Sequence, residues 1–166
     1  MTEPPTETMI AFRPAEASDR AAIDEAIERD LGRSPYVSVP AYAIRMAFQG
    51  RPSESRALIA DHDGSMVGFA VFGDVAGALG TGRLHFVSVI PTARRRSIGV
   101  GLCEAAVAEL ALRGDRVVVT EIPNAPLFAS GRALLARCGF VETARVADYY
   151  ADDVDLLVLQ RSIGPG

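Results

Sequence analysis

Residues 87–102 read VSVIPTARRRSIGVGL, and no other stretch limits the architecture of the chain so sharply. Apolar Val87, Val89 and Ile90 end a strand, Pro91 stops it, and Arg94, Arg95 and Arg96 follow. Ser97-Ile98-Gly99-Val100-Gly101 then turns the chain into an apolar helical run. That order brings several backbone N–H groups, the positive end of a helix dipole and guanidinium charge to one place. Such a place suits a phosphate or pyrophosphate. Gly-rich turns also precede ordinary helices, so a plain connection with solvated arginines is the competing reading here.

At 166 residues the chain is long enough for one domain with a real core. The reading is a disordered tail over 1–8 and a single domain over 9–163. A net charge of −4 argues against a broad nucleic-acid surface, and three consecutive arginines suit one small anion better than a duplex. All 17 basic residues are arginine. Without lysine, neither a Walker-type phosphate loop nor a pyridoxal Schiff base can form. Cys103 and Cys138 sit in apolar helical runs with no CxxC or nearby histidine, which reads as buried free thiols in a reducing compartment. His62 and His85 make no zinc site with that spacing, so no metal is expected. No leader or membrane-length apolar run is visible, and the expected location is cytoplasmic, with no membrane partner.

Met9 to Phe12 reads as a strand. Ser18 caps a helix with Ile23, Ala26, Ile27 and Leu31 on one face and Gly32 as its stop. A second helix is expected after Pro40, with Ala41, Ile44, Ala47 and Phe48 inward and Gly50 closing it. Arg56 to Asp61 and Met66 to Phe72 form a hairpin about His62-Asp63-Gly64-Ser65, and Gly73 to Gly82 reads as a loop. Arg83 to Ile90 is a strand, Gly99 to Arg113 a helix, and Arg116 to Glu121 a strand buried on both faces. Ala125 to Cys138 is a helix with Leu127, Leu134, Leu135 and Cys138 on one stripe. Ala144 to Tyr149 and Val154 to Arg161 close as a hairpin. The order β-α-α-β-β-β-α-β-α-β-β places the fold in the α/β or α+β class, with helices interrupting a mixed sheet.

Several local signatures recur at characteristic spacing. They are Arg13-Pro14-Ala15 with Asp19, Asp63-Gly64 before Val67-Gly68-Phe69, Pro91-x-x-Arg94, Arg94-x-x-Ser97-x-Gly99, and Leu134-Leu135-Ala136-Arg137-Cys138-Gly139-Phe140. With them, the chain from Met9 to Ile163 resembles the GNAT superfamily of acyl-CoA N-acyltransferases. The resemblance implies a mixed, mostly antiparallel central sheet. Acetyl-CoA would lie as co-substrate in a V-shaped gap between the strand ending at Val89 and the strand ending at Glu121. Its pantetheine arm would pair with Val87, Ser88 and Val89. Its pyrophosphate would meet the turn formed by Arg94, Arg95, Arg96, Ser97, Ile98, Gly99, Val100 and Gly101. Ser97 departs from the family's glycine, and serine disfavours a positive φ. Asn124 is either a helix N-cap or a cofactor contact. Arg132 either reaches a CoA phosphate or is solvated.

Acyl transfer from a thioester to an amine needs a base, an oxyanion donor and a proton for the leaving thiolate. The resemblance implies Val89 N–H as oxyanion donor. Glu121, at the mouth of the gap where desolvation would strengthen it as a base, is the first candidate for that role. His85 is the second, beside the reading of a half-buried structural histidine. Many family members carry a tyrosine where this chain has Leu135, so Tyr150 in the closing hairpin, beside Tyr149, is taken as the acid. Asp148, Asp152, Asp153 and Asp155 form either a solvated tip or a funnel for a cationic amine. Tyr36, Tyr42 and Arg45 are candidates to wall the acceptor pocket. The expected activity is transfer of an acetyl group to a primary amine of a small molecule or peptide by direct attack. The alternative is a catalytically silent acyl-CoA-binding module. A homodimer is implied by the resemblance alone.

Overall fold

The protein is described by a computed structural model covering residues 9–49 and 55–164. The expected tail at 1–8 and the helix stop at Gly50 lie outside the described residues. The strands are β1 Ala11–Pro14, β2 Arg56–His62, β3 Ser65–Asp74, β4 Thr81–Val89, β5 Val117–Pro123, β6 Val141–Ala151 and β7 Val154–Ser162, and the helices are α1 Arg20–Leu31, α2 Ser38–Phe48, α3 Ile98–Leu112 and α4 Ala129–Arg137. The strands form one seven-stranded sheet in the order β1-β2-β3-β4-β5-β7-β6. Every neighbouring pair is antiparallel except β4 and β5. This is the mixed, mostly antiparallel α/β architecture expected.

The two sheet faces carry separate cores. Ile23, Ala26 and Ile27 of α1 and Ala43 and Ile44 of α2 pack with Ile59, Phe69 and Val71. On the other face Leu102, Cys103, Ala106 and Leu110 of α3 meet Phe72, Leu84, Val118 and Leu157. Each large aliphatic side chain buried this way contributes about 1.5–3 kcal/mol.

Several boundaries differ from the sequence reading for local reasons. Ser18 lies inside a 3-10 turn at Ala17–Asp19, and the capping pair is Glu16 with Asp19. Helix α2 begins two residues before Pro40, which occupies its first turn, where a missing N–H costs nothing. Ala41 is exposed, while Pro40 and Ala43 are buried. Gly73 and Gly82 belong to strands rather than the loop between them. Leu127 precedes α4 and is exposed, leaving Leu135 and Cys138 as the buried members of that stripe. The β2–β3 turn matches expectation: Asp63 and Gly64 both have positive φ, at 54° and 77°, as a two-residue primed turn requires.

Candidate active site

The site begins where two strands part. β4 and β5 are paired only at Thr81, Gly82 and Arg83 against Val117, Val118 and Val119. β4 then continues to Val89 and β5 to Pro123 without each other. Ile90 N–H donates to Val67 C=O at 2.9 Å, and main-chain direction alternates along an antiparallel strand. Ser88 and Ile90 therefore bond to β3, whereas Val87 and Val89 turn their N–H and C=O groups into the gap. Arg94 Nε takes the Val89 carbonyl at 3.0 Å, so the Val89 N–H is left facing the opening. Ser88 also lines the groove, and its hydroxyl donates to Asp30 Oδ2 at 2.7 Å.

A groove of about 720 Å3 opens beside this edge, lined by Val87 to Val89 and by Arg94, Arg95, Ser97, Ile98, Gly99 and Val100. Arg95 and Ser97 both adopt left-handed backbone, with φ of 65° and 58°. Left-handed residues beside right-handed ones curl N–H groups into an anion-binding concavity. The first N–H groups of α3 add to it, since they have no partner within the helix. Gly99 lets α3 approach α4, because a Cβ there would lie 3.2 Å from a Leu134 methyl. Two expected members stand apart. Gly101 N–H is taken by Ser97 C=O at 2.9 Å, and a Cβ on Gly101 would collide with the Phe12 ring; it serves packing. Arg96 is exposed and outside the groove lining.

Asp30 at the end of α1 was not legible in the sequence. Its carboxylate lines the groove, receives Arg29 Nε at 2.9 Å and the Ser88 hydroxyl, and lies 3.7 Å from Arg94 Nη2. A helix-surface aspartate carries no local pattern that reports such partners.

A second, smaller cavity of about 110 Å3 adjoins the groove along Phe86, Val87 and Leu134. Tyr36, His85, Glu121, Phe128 and Tyr150 line it. Burial, then the charge of Glu121, push the Tyr150 phenol up, so it holds its proton. Glu121 is not desolvated as expected: its side chain is 40% exposed at the rim, with Arg83 3.2 Å away. Tyr36 walls the cavity, but Tyr42 and Arg45 do not; they stack on each other at 5.4 Å.

Both polar residues around α4 have other duties. Asn124 Oδ1 accepts from Asp155 N–H at 2.9 Å, tying β5 to β7 rather than capping a helix or lining the groove. Arg132 donates to the carbonyls of Pro123 and Ala125 at 3.0 and 2.8 Å, closing the turn after β5. Within the acidic hairpin, Asp148 and Asp155 carboxylates accept backbone N–H groups of Asp153 and Asp148. Among the described residues no group of three His, Cys, Asp or Glu could hold a metal ion.

The model of the acetyltransferase (GNAT) family matches residues 21–140. No curated protein sequence matches the chain. Among solved structures, a protein described as a GNAT-family acetyltransferase from Desulfovibrio desulfuricans is 21% identical, with a TM-score of 0.83 over 94% of this chain and 100% of that one. The ribosomal-protein-S18-alanine N-acetyltransferase from Escherichia coli is 23% identical, with a TM-score of 0.74 over 95% and 96%. A Salmonella typhimurium protein solved with its cofactor acetyl-CoA is 21% identical, with a TM-score of 0.73 over 95% of each chain.

Proposed function

The chain belongs to the acetyltransferase (GNAT) family, and from that premise we propose that it moves the acetyl group of acetyl-CoA to a primary amine of a small molecule or peptide. One observation carries the reading: the edge of β4 at Val87 and Val89, which β5 leaves unpaired, lies between an anion-suited groove and a small cavity. The groove fits the coenzyme. Its curled N–H groups suit a pyrophosphate, and a free strand edge suits the amide groups of a pantetheine arm.

Bound there, acetyl-CoA supplies an activated thioester. Val89 N–H donates to the oxygen that gains charge, a contribution of about 3 kcal/mol when preorganised. Glu121 takes the amine proton and, being at the rim, passes it to solvent. Tyr150 stands on the same cavity with its proton retained and gives it to the departing thiolate. Leu135, where a tyrosine was sought, is in the core, so we assign the donor role to the phenol of Tyr150 on β6, which lines the cavity together with Glu121. Its presence disfavours the silent acyl-CoA-binding alternative. Transfer is direct: Cys103 and Cys138 are buried and line neither cavity, and burial pushes both thiols up, away from the nucleophilic thiolate.

The reading extends to cytoplasmic location, supported by the two free thiols, and to a homodimer formed along β6, which is exposed along almost its whole length. No described helix is long and apolar enough to cross a membrane. The test is an amine and peptide screen with acetyl-CoA, following release of free thiol. Turnover of at least one primary amine is expected; calorimetry showing no heat with any acyl-CoA would refute it.

A further inference from the structure

The smaller cavity has walls too particular for a general amine site. Tyr36 meets Phe128 and Tyr150 edge-on, at 5.1 and 5.4 Å between ring centroids, and Leu31, Val39, Pro40 and Ile122 close the remaining sides. A volume of about 110 Å3 is of the same order as the ~150 Å3 of an apolar cavity that takes benzene, which makes a single ring the upper bound. Its occupant is therefore a branched aliphatic group or, at most, a phenyl ring. Glu121 at the rim is the one lining residue with a carboxylate or guanidinium.

Of the polar residues on its wall, which include the buried Thr120, His85 has a buried ring nitrogen left without a partner among the described residues. Opposite Phe72 and Val71 the strand β4 places Leu84 and Phe86, so His85 is the extra residue of a bulge, a device that re-aims a side chain. The nitrogen is Nε2. Burial, aided by Arg83, pulls the imidazole down to about 4, which keeps the ring neutral at physiological pH. A buried unpaired nitrogen destabilises the free protein, and a ligand that bonds to it removes that penalty.

We infer that the acceptor is a primary amine carried on a compact apolar group, leucine-sized to phenyl-sized, and that His85 Nε2 accepts a hydrogen bond from that amine and so selects it. This deepens the acetyltransferase reading above and rests on it. The apolar group fills the aromatic box and the nitrogen points toward the β4–β5 gap. A neutral imidazole suits this position because it binds the free amine, the form that attacks, without the preference for ammonium that a carboxylate would bring.

The test measures thiol release at saturating acetyl-CoA with isoamylamine, 2-phenylethylamine and the tripeptide Leu-Gly-Gly, against spermidine and Asp-Gly-Gly. At least one apolar acceptor should exceed both polar ones by about tenfold or more in kcat/KM, as a matched apolar pocket allows. Which one leads separates free amines from peptide ends. His85→Leu should raise KM for that acceptor about tenfold, change kcat little, and hold or raise Tm; His85→Gln should recover part of the KM. Preference for spermidine or Asp-Gly-Gly overturns the inference. So does a protein that binds acetyl-CoA yet turns over none of the five, or a His85→Leu variant with unchanged KM. Loss of acetyl-CoA binding itself in calorimetry marks the different failure, that of the acetyltransferase reading, and removes this inference with it.

Discussion

Ser97 sits with φ of 58° at the N-cap of α3, and its side chain makes no capping bond there. A left-handed backbone costs a non-glycine residue about 1–2 kcal/mol, and that strain is held in the turn proposed to bind the pyrophosphate. Ser97→Gly should tighten acetyl-CoA binding about two- to fivefold, whereas Ser97→Val, β-branched and poor at positive φ, should weaken it about tenfold; titration calorimetry separates the two. Tyr150→Phe keeps the ring contact with Tyr36 and removes only the proton, so kcat should fall about 10- to 100-fold with little change in KM. An unchanged kcat would remove Tyr150 from the reaction. His85 adds a pH signature. Its folded imidazole is held near 4 against 6.5 when free, so the unfolded chain binds the proton first as pH falls. Stability is complete above about 6.5 and should drop by about 3 kcal/mol on the way to pH 4. Thermal melts should show that decline in the parent protein and a flatter profile in His85→Leu. At this scale the sequence located the tight turn before α3, where Arg95 and Ser97 are left-handed, because local spacing encodes it. Asp30, Asn124 and Arg132 escaped, since each is defined by a partner that only tertiary folding brings near.

Elements were more legible than partners. The apolar period of α1 and α3 and the Asp63-Gly64 turn each follow from local rules, and the structure keeps them. Failures came where packing overrode composition. Glycine at 82 reads as loop, yet a Cβ there would lie 2.7 Å from Leu110 methyls, so the strand needs that residue for α3 to dock. The bulge at His85 left no trace in the alternation. The Arg13-Pro14-Ala15 signature with Asp19 also gains meaning from the assembled elements. Arg13 on β1 makes two bonds to Asp19, at 2.8 and 2.9 Å, and one to Asp61 on β2 at 3.0 Å, while Asp19 also accepts the Glu16 N–H at 2.7 Å. The Arg13 guanidinium holds the Asp19 carboxyl below its ordinary value. A depressed carboxyl contributes stability that is present above about pH 4 and lost as pH falls through the folded value. Asp19→Asn should therefore lower Tm at neutral pH by about 4–8 °C, corresponding to about 2 kcal/mol for a chain of this size. The gap between variant and parent should close as pH falls through the depressed folded value of Asp19. A gap that persists in acid would assign the loss to packing instead of charge.

At the scale of the molecule, function follows from one parting of strands, which a single parallel pair inside an otherwise antiparallel sheet makes possible. The gap was expected only through resemblance, because no local pattern records where two strands separate. The outer edge of the sheet raises the question of a partner. β6 spans Val141–Ala151, pairs on one side with β7, and exposes Val141, Val146 and Tyr149 by 62, 47 and 58%. Long edges with apolar side chains invite pairing unless blunted. Here the blunting is local: Asp148 takes a φ of 51°, and the β6–β7 register breaks between Val146 and Ala151. The segment from Ala144 to Val146 keeps regular register with β7, and the exposed Val146 there is the side chain offered to a second copy. Sedimentation at micromolar concentration should give a dimer, and Val146→Lys, which sets like charges across a two-fold contact, should give a monomer that still binds acetyl-CoA. A parent protein that sediments as a monomer would dispose of the dimer. A Val146→Lys variant that stays dimeric would move the contact away from this edge, leaving the β4–β5 gap and its two cavities complete within one chain.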